Sequence, residues 1–86
     1  MTFRYRKSFS KKYKKLPPKI QQQFDDRARL LLKNPDDPLL YLHPLKGKYT
    51  GYWSINVTSD YRALFVRQTD SIIMFMLIGT HSELYG

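Results

Sequence analysis

The sequence predicts an α+β fold, an N-terminal helical hairpin packed on a small antiparallel β-sheet. Three observations lead there. Apolar residues recur at helical spacing over the first 33 positions, a proline-rich breaker follows, and β-branched and aromatic residues then dominate three short segments divided by polar turns. Eighty-six residues suffice for one core, so a single domain over residues 1–86 is expected.

Thr2 to Arg6 alternates polar and aromatic residues, as a short first strand would. From Ser8 the period changes: Phe9, Tyr13 and Leu16 fall on one helical face while Lys11, Lys12, Lys14 and Lys15 cover the rest. Pro17 and Pro18 stop this helix, and Pro18 suits the first turn of another. The second helix is expected to run to Lys33, with Ile20, Phe24, Ala28 and Leu31 buried and Gln21, Gln22, Asp25, Arg29 and Lys33 more exposed. Asn34-Pro35-Asp36-Asp37-Pro38 then turns the chain within the domain.

The segments Tyr52–Val57, Tyr61–Arg67 and Ile72–Ile78 read as three antiparallel strands in a meander, with a shorter strand near Leu42–Leu45. If Thr58-Ser59-Asp60 is a hairpin loop, Val57 faces Tyr61, Asn56 faces Arg62 and Ile55 faces Ala63. One sheet face is then apolar, and the other carries Ser54, Asn56 and Arg62 beside Leu64 and Val66. The Ile72–Ile78 run, apolar on both faces, suits a central strand.

Fifteen Lys and Arg against seven Asp and Glu give a formal charge of +8, which favours a polyanion or an acidic protein as partner. Eight of the fifteen lie between Arg4 and Lys19 with no acidic residue among them. That block, with Lys11 and Lys12, is an electrostatic seat for RNA, against the ordinary reading of a solvated helix face. There is no cysteine, which removes thiolate nucleophiles and zinc-thiolate sites. Neither a phosphate-binding glycine loop, nor HExxH, nor a nucleophile elbow is present, so no cofactor or metal is expected. The longest apolar run, Ile72 to Ile78, is too short to span a bilayer, and the N-terminus lacks a signal-peptide pattern; a soluble cytoplasmic protein is expected, with no membrane partner.

Candidate chemistry concentrates in the C-terminal half, which holds both histidines. His81 follows the most apolar strand, where rigid support meets solvent. Histidine is the side chain that gives and takes protons near pH 7. Either histidine alone is more simply a surface or capping residue; the pair taken with Arg62 is an even match between that reading and catalysis. Arg62 itself is equally well read as a solvated strand residue or a partner of Asp60. Lys46 and Lys48, in His43-Pro44-Leu45-Lys46-Gly47-Lys48, are placed to hold phosphates, though for Lys48 a basic surface loop is the simpler account. Trp53 is expected to pack in the core, while Tyr85 is open to stacking on a base.

The ordered combination His43-Pro44-Leu45-Lys46-Gly47, Gly51-Tyr52-Trp53-Ser54, Asp60-Tyr61-Arg62 and Ile78-Gly79-Thr80-His81-Ser82-Glu83-Leu84-Tyr85-Gly86 resembles the RelE/ParE superfamily of type II toxins, its YafQ-like mRNA interferases most of all. The resemblance implies a ribosome-dependent endoribonuclease that cleaves translated mRNA without metal and is held inactive by an acidic antitoxin. It makes His81 the first candidate for proton transfer, with His43 and Asp60 as further acid–base or orienting groups. Arg62 would then stabilise phosphate charge, and Tyr85 would stack on or orient a base. Where YafQ-like members carry histidine and RelE-like members lysine, this chain has Asn56, a hydrogen-bonding group rather than a base. Two other functions fit the same fold: a ParE-like inhibitor of DNA gyrase, and a basic RNA-binding protein without catalysis, the latter favoured if His81 is buried.

Overall fold

A computed structural model describes all 86 residues. Strand β1 (Thr2–Tyr5) leads into α1 (Lys7–Lys15) and α2 (Pro18–Lys33). After the breaker come β2 (His43–Pro44), a 3₁₀ turn (Gly47–Tyr49), β3 (Tyr52–Asn56), β4 (Tyr61–Arg67), β5 (Ile72–Thr80) and a short α3 (His81–Tyr85).

The expected meander is the centre of a five-stranded mixed sheet in the order β1-β5-β4-β3-β2. β1 runs parallel to β5, with Phe3 beside Ile73 and Tyr5 beside Phe75, whereas every other pairing is antiparallel. The hairpin register is the one expected, Asn56 opposite Arg62 and Ile55 opposite Ala63. β5 is an interior strand, as its two-sided apolar pattern requires. The β4–β5 register slips at Leu64/Phe65, where Leu64 faces Leu77 but Phe65 faces Phe75, so Met76 is the extra residue of a bulge.

The helical hairpin covers one sheet face. Phe9, Leu16, Phe24, Ala28 and Leu31 from the helices meet Ile55, Val57, Ala63, Phe65, Ile73, Phe75 and Ile78 from the strands. Phe75 is the hub, its ring within 5.1–5.7 Å of Phe3, Tyr5, Phe9, Phe24 and Phe65 by centroid. Gln21, expected on the exposed side, is half-buried: its Nε2 donates to the carbonyls of Tyr13 and Leu16. It thereby satisfies backbone groups that the end of α1 leaves open and ties the two helices together. Leu40, within the segment after α2, is fully buried, and its carbonyl accepts the Asn56 N–H at 2.8 Å. No helix is long and apolar enough to cross a membrane.

Candidate active site

The opposite sheet face is only partly covered. Its floor comes from the alternation in β3 and β4: Ser54 stands beside His43 of β2 on one side and Leu64 on the other, and Asn56 stands beside Arg62. Around that floor a shallow pocket of about 270 Å³ is lined by Tyr41, His43, Leu45, Ser54, Arg62, His81 and Tyr85. Four residues named from the sequence, His43, Arg62, His81 and Tyr85, thus converge from two strands and a helix.

His43 is half-buried at the sheet edge. Its Nδ1 lies 2.7 Å from the Tyr41 carbonyl, which can only accept, so Nδ1 carries a proton and, in the neutral ring, Nε2 holds the lone pair. The Tyr41 ring lies over the imidazole, 4.4 Å between centroids. Tyr41 is 62% exposed and has φ +45°, the one non-glycine residue in the left-handed region.

His81 is exposed, so the condition favouring a non-catalytic binder is not met. It opens α3, a helix that sequence reading passed over although Thr80-His81-Ser82-Glu83 has capping-box spacing. The Thr80 hydroxyl accepts the Glu83 N–H, and the Glu83 carboxylate accepts the Thr80 N–H. The His81 N–H donates to the Asp60 carbonyl at 2.9 Å, pinning the helix start to the β3–β4 loop. Further on, the Tyr49 hydroxyl donates to the Leu84 carbonyl at 2.8 Å, and the Tyr49 ring meets Tyr85 edge-on. Tyr85 in turn lies 4.8 Å from the His81 ring.

A third tether comes from α1, where Lys12 pairs with Glu83 at 2.9 Å. Lys12 and the two Thr80 bonds hold the Glu83 carboxyl down to about 2. Gly79, opposite Arg62, has no side chain in the way of this arrangement; a Cβ there would sit 3.1 Å from Glu83 Oε1.

Arg62 makes no ion pair with Asp60. Its Nη1 donates to the carbonyls of Thr58, Ser59 and Tyr61, which orients the guanidinium, and its Nη2 and Nε have no partner within the chain. Asp60 contributes its backbone to the site, while its exposed side chain is not part of the pocket lining. Asn56 lies outside the lining too, although its Oδ1 is buried without a partner, as is the Ser54 hydroxyl within it. Two unpaired buried polar atoms on this face of β3 are costly unless a ligand or water uses them.

The basic residues are less concentrated on the pocket. Lys46 and Lys48 stand exposed at the 3₁₀ turn, with Lys48 Nζ 5.2 Å from the Tyr49 ring centre, and Lys11 is exposed on α1. Lys12 is engaged with Glu83 rather than free. Trp53 is half-buried against the core with the Arg67 guanidinium over its ring. A second recess, among Tyr5, Phe9, Tyr13, Phe24 and Asp25, belongs to the core side. There burial and a hydrogen bond to the Asp25 carboxylate raise the Tyr13 phenol above its ordinary range, so it stays protonated and offers no base.

Comparison with known proteins agrees with this fold. The family described as "Bacterial toxin of type II toxin-antitoxin system, YafQ" matches residues 1–86. Among solved structures, the chain is similar to YafQ from E. coli strain BL21(DE3) at 26% identity, covering 98% of this chain and 97% of that one with a TM-score of 0.82. It is also similar to a chain of the E. coli DinJ-YafQ toxin-antitoxin complex, at 26% identity over 98% and 96% of the two chains, TM-score 0.78. The YoeB/ParE toxin from Agrobacterium tumefaciens shares the fold at 22% identity, over 94% and 99%, TM-score 0.74. No curated protein matches significantly by sequence. With the family pattern running the whole length of the chain and the fold reproduced, the protein belongs to the YafQ toxins of type II toxin–antitoxin systems.

Proposed function

We propose that the protein is an endoribonuclease that cleaves mRNA on the ribosome by acid–base chemistry. The observation that carries this reading is the convergence of His43, Arg62, His81 and Tyr85 on one pocket of the open sheet face. His43 Nε2, free because Nδ1 is bound to the Tyr41 carbonyl, takes the proton of a ribose 2′-hydroxyl. The oxygen attacks the adjacent phosphorus, and the free N–H groups of Arg62 stabilise the charge that develops on the phosphorane. His81 gives a proton to the departing 5′-oxygen, so the P–O5′ bond breaks to leave a 2′,3′-cyclic phosphate and a 5′-hydroxyl. Tyr85 orients a base, and the unpaired Ser54 and Asn56 oxygens hold polar groups of substrate or water. Asp60 acts through its backbone, by positioning His81.

The net +8 charge, including exposed Lys11, Lys46 and Lys48, draws the protein to ribosomal RNA and mRNA. The same charge suits an acidic antitoxin that neutralises the protein in the cytoplasm, as the DinJ-YafQ complex of a similar toxin supports. The test is regulated expression of the wild type and His81→Ala, followed by primer extension on a translated reporter. Cuts phased to the reading frame, present in wild type and absent in the variant, are the expected result. Growth arrest without cuts rejects the nuclease reading in favour of a gyrase-type or other binding target.

A further inference from the structure

Tyr41 is placed where a glycine would be cheapest. It ends the turn Pro38–Tyr41, whose Leu40 and Tyr41 N–H groups donate to the carbonyls of Asp37 and Pro38. The chain must reverse there so that Leu40 enters the core and its carbonyl reaches the Asn56 N–H. That explains φ +45° but not the residue: an aromatic side chain pays a steric cost in the left-handed region, and Tyr41 recovers little by burial at 62% exposure. The turn is firmly held, by Asp37 Oδ1 on the Leu39 N–H and by Arg27 Nη1 on the Leu39 carbonyl. The ring is therefore pre-aimed. It forms a wall of the catalytic pocket and of a larger recess of about 600 Å³ around Trp53 and Arg67 on its other side.

The pocket also contains two histidine–tyrosine pairs, Tyr41 on His43 at 4.4 Å and Tyr85 on His81 at 4.8 Å. If the scissile phosphate lies between the histidines, each tyrosine stands beside one flanking nucleotide. Resting on the nuclease reading above, we propose that Tyr41 is the stacking platform for the base immediately upstream of the cut, the nucleotide whose 2′-hydroxyl His43 activates. Tyr41 then has two separable parts. Its carbonyl sets the His43 tautomer, and its ring binds the upstream base.

Tyr41→Gly and Tyr41→Asn separate them, because both residues accept the left-handed backbone and keep the carbonyl while removing the ring. Tyr41→Phe keeps the ring. With purified programmed ribosomes, the Gly and Asn variants are expected to raise KM on the order of tenfold to a hundredfold, the worth of one stacked base. They should broaden the range of bases found upstream of the cuts and leave the pH profile of kcat and the thermal midpoint at wild-type values or above. The Phe variant, which keeps the ring, should retain the choice of upstream base that the Gly and Asn variants lose. Unchanged KM and unchanged upstream bases in both ring-less variants would overturn the proposal while leaving the nuclease reading intact. A changed pH profile with unchanged upstream bases would also overturn it, by assigning Tyr41 to His43 alone. Absence of cuts by wild type would remove the nuclease reading itself and this proposal with it.

Discussion

The two faces of the sheet were built by opposite rules. Under the helices, the core residues gathered around Phe75 are buried at 0–7% exposure and ring meets ring. On the other face a serine hydroxyl and an asparagine oxygen are buried without partners, a tyrosine sits in a left-handed backbone, and two histidines meet solvent. Apolar packing dominates the first face and is withheld on the second. The contrast teaches that packing and the polar site draw on alternate positions of the same two strands, β3 and β4, separated by the two-residue alternation alone.

Substitutions can break that division in descending order of effect. Phe75→Ala, on the covered face, should destabilise the protein by about 3–5 kcal/mol, because the hub of the aromatic cluster leaves a cavity its neighbours cannot close; chemical denaturation measures it. His81→Ala should leave the denaturation midpoint unchanged and lower cleavage roughly 10²- to 10⁴-fold, separating the faces in one variant. Ser54→Ala sharpens the comparison further. Removing a buried hydroxyl that has no partner should leave stability unchanged or raise it by about 1 kcal/mol, while activity falls; a clear loss of stability would mean that the hydroxyl is satisfied after all.

Glu83→Gln is the smallest and carries a pH signature. Because folding lowers the Glu83 carboxyl from 4.5 to about 2, its contribution is fully present above pH 4.5 and fades as pH falls toward 2. The pair with Lys12 is nearly half exposed, so the loss should be under about 1 kcal/mol. Thermal midpoints of wild type and variant should differ slightly at pH 6 and converge near pH 2.

The covered face was the more legible in the sequence. Helical spacing located Phe9, Phe24, Ala28 and Leu31, the paired prolines marked the α1–α2 break, and the hairpin loop gave the Asn56–Arg62 register. What escaped was non-local or conformational. The parallel pairing of β1 with β5 joins residues about seventy positions apart, as does Lys12 with Glu83, and no local period encodes either. Of the open face, His43, Arg62, His81 and Tyr85 were legible as residue types in order. Tyr41 was not, because its importance lies in a backbone angle and a carbonyl rather than in a side-chain pattern. The α3 helix was written in the Thr80–Glu83 spacing, from which only the place of His81 at a strand end was read.

The pairing of the first strand with the fifth has a consequence for how the toxin is made. As the chain leaves the ribosome, β1 has no partner until residues 72–75 emerge, and the pocket lacks a wall until His81 and Tyr85 follow. Closing such a long loop is a late event in folding. A translating ribosome therefore carries an unfinished polypeptide for most of its synthesis, and the pocket residues come together only when the last turn of backbone is free to fold.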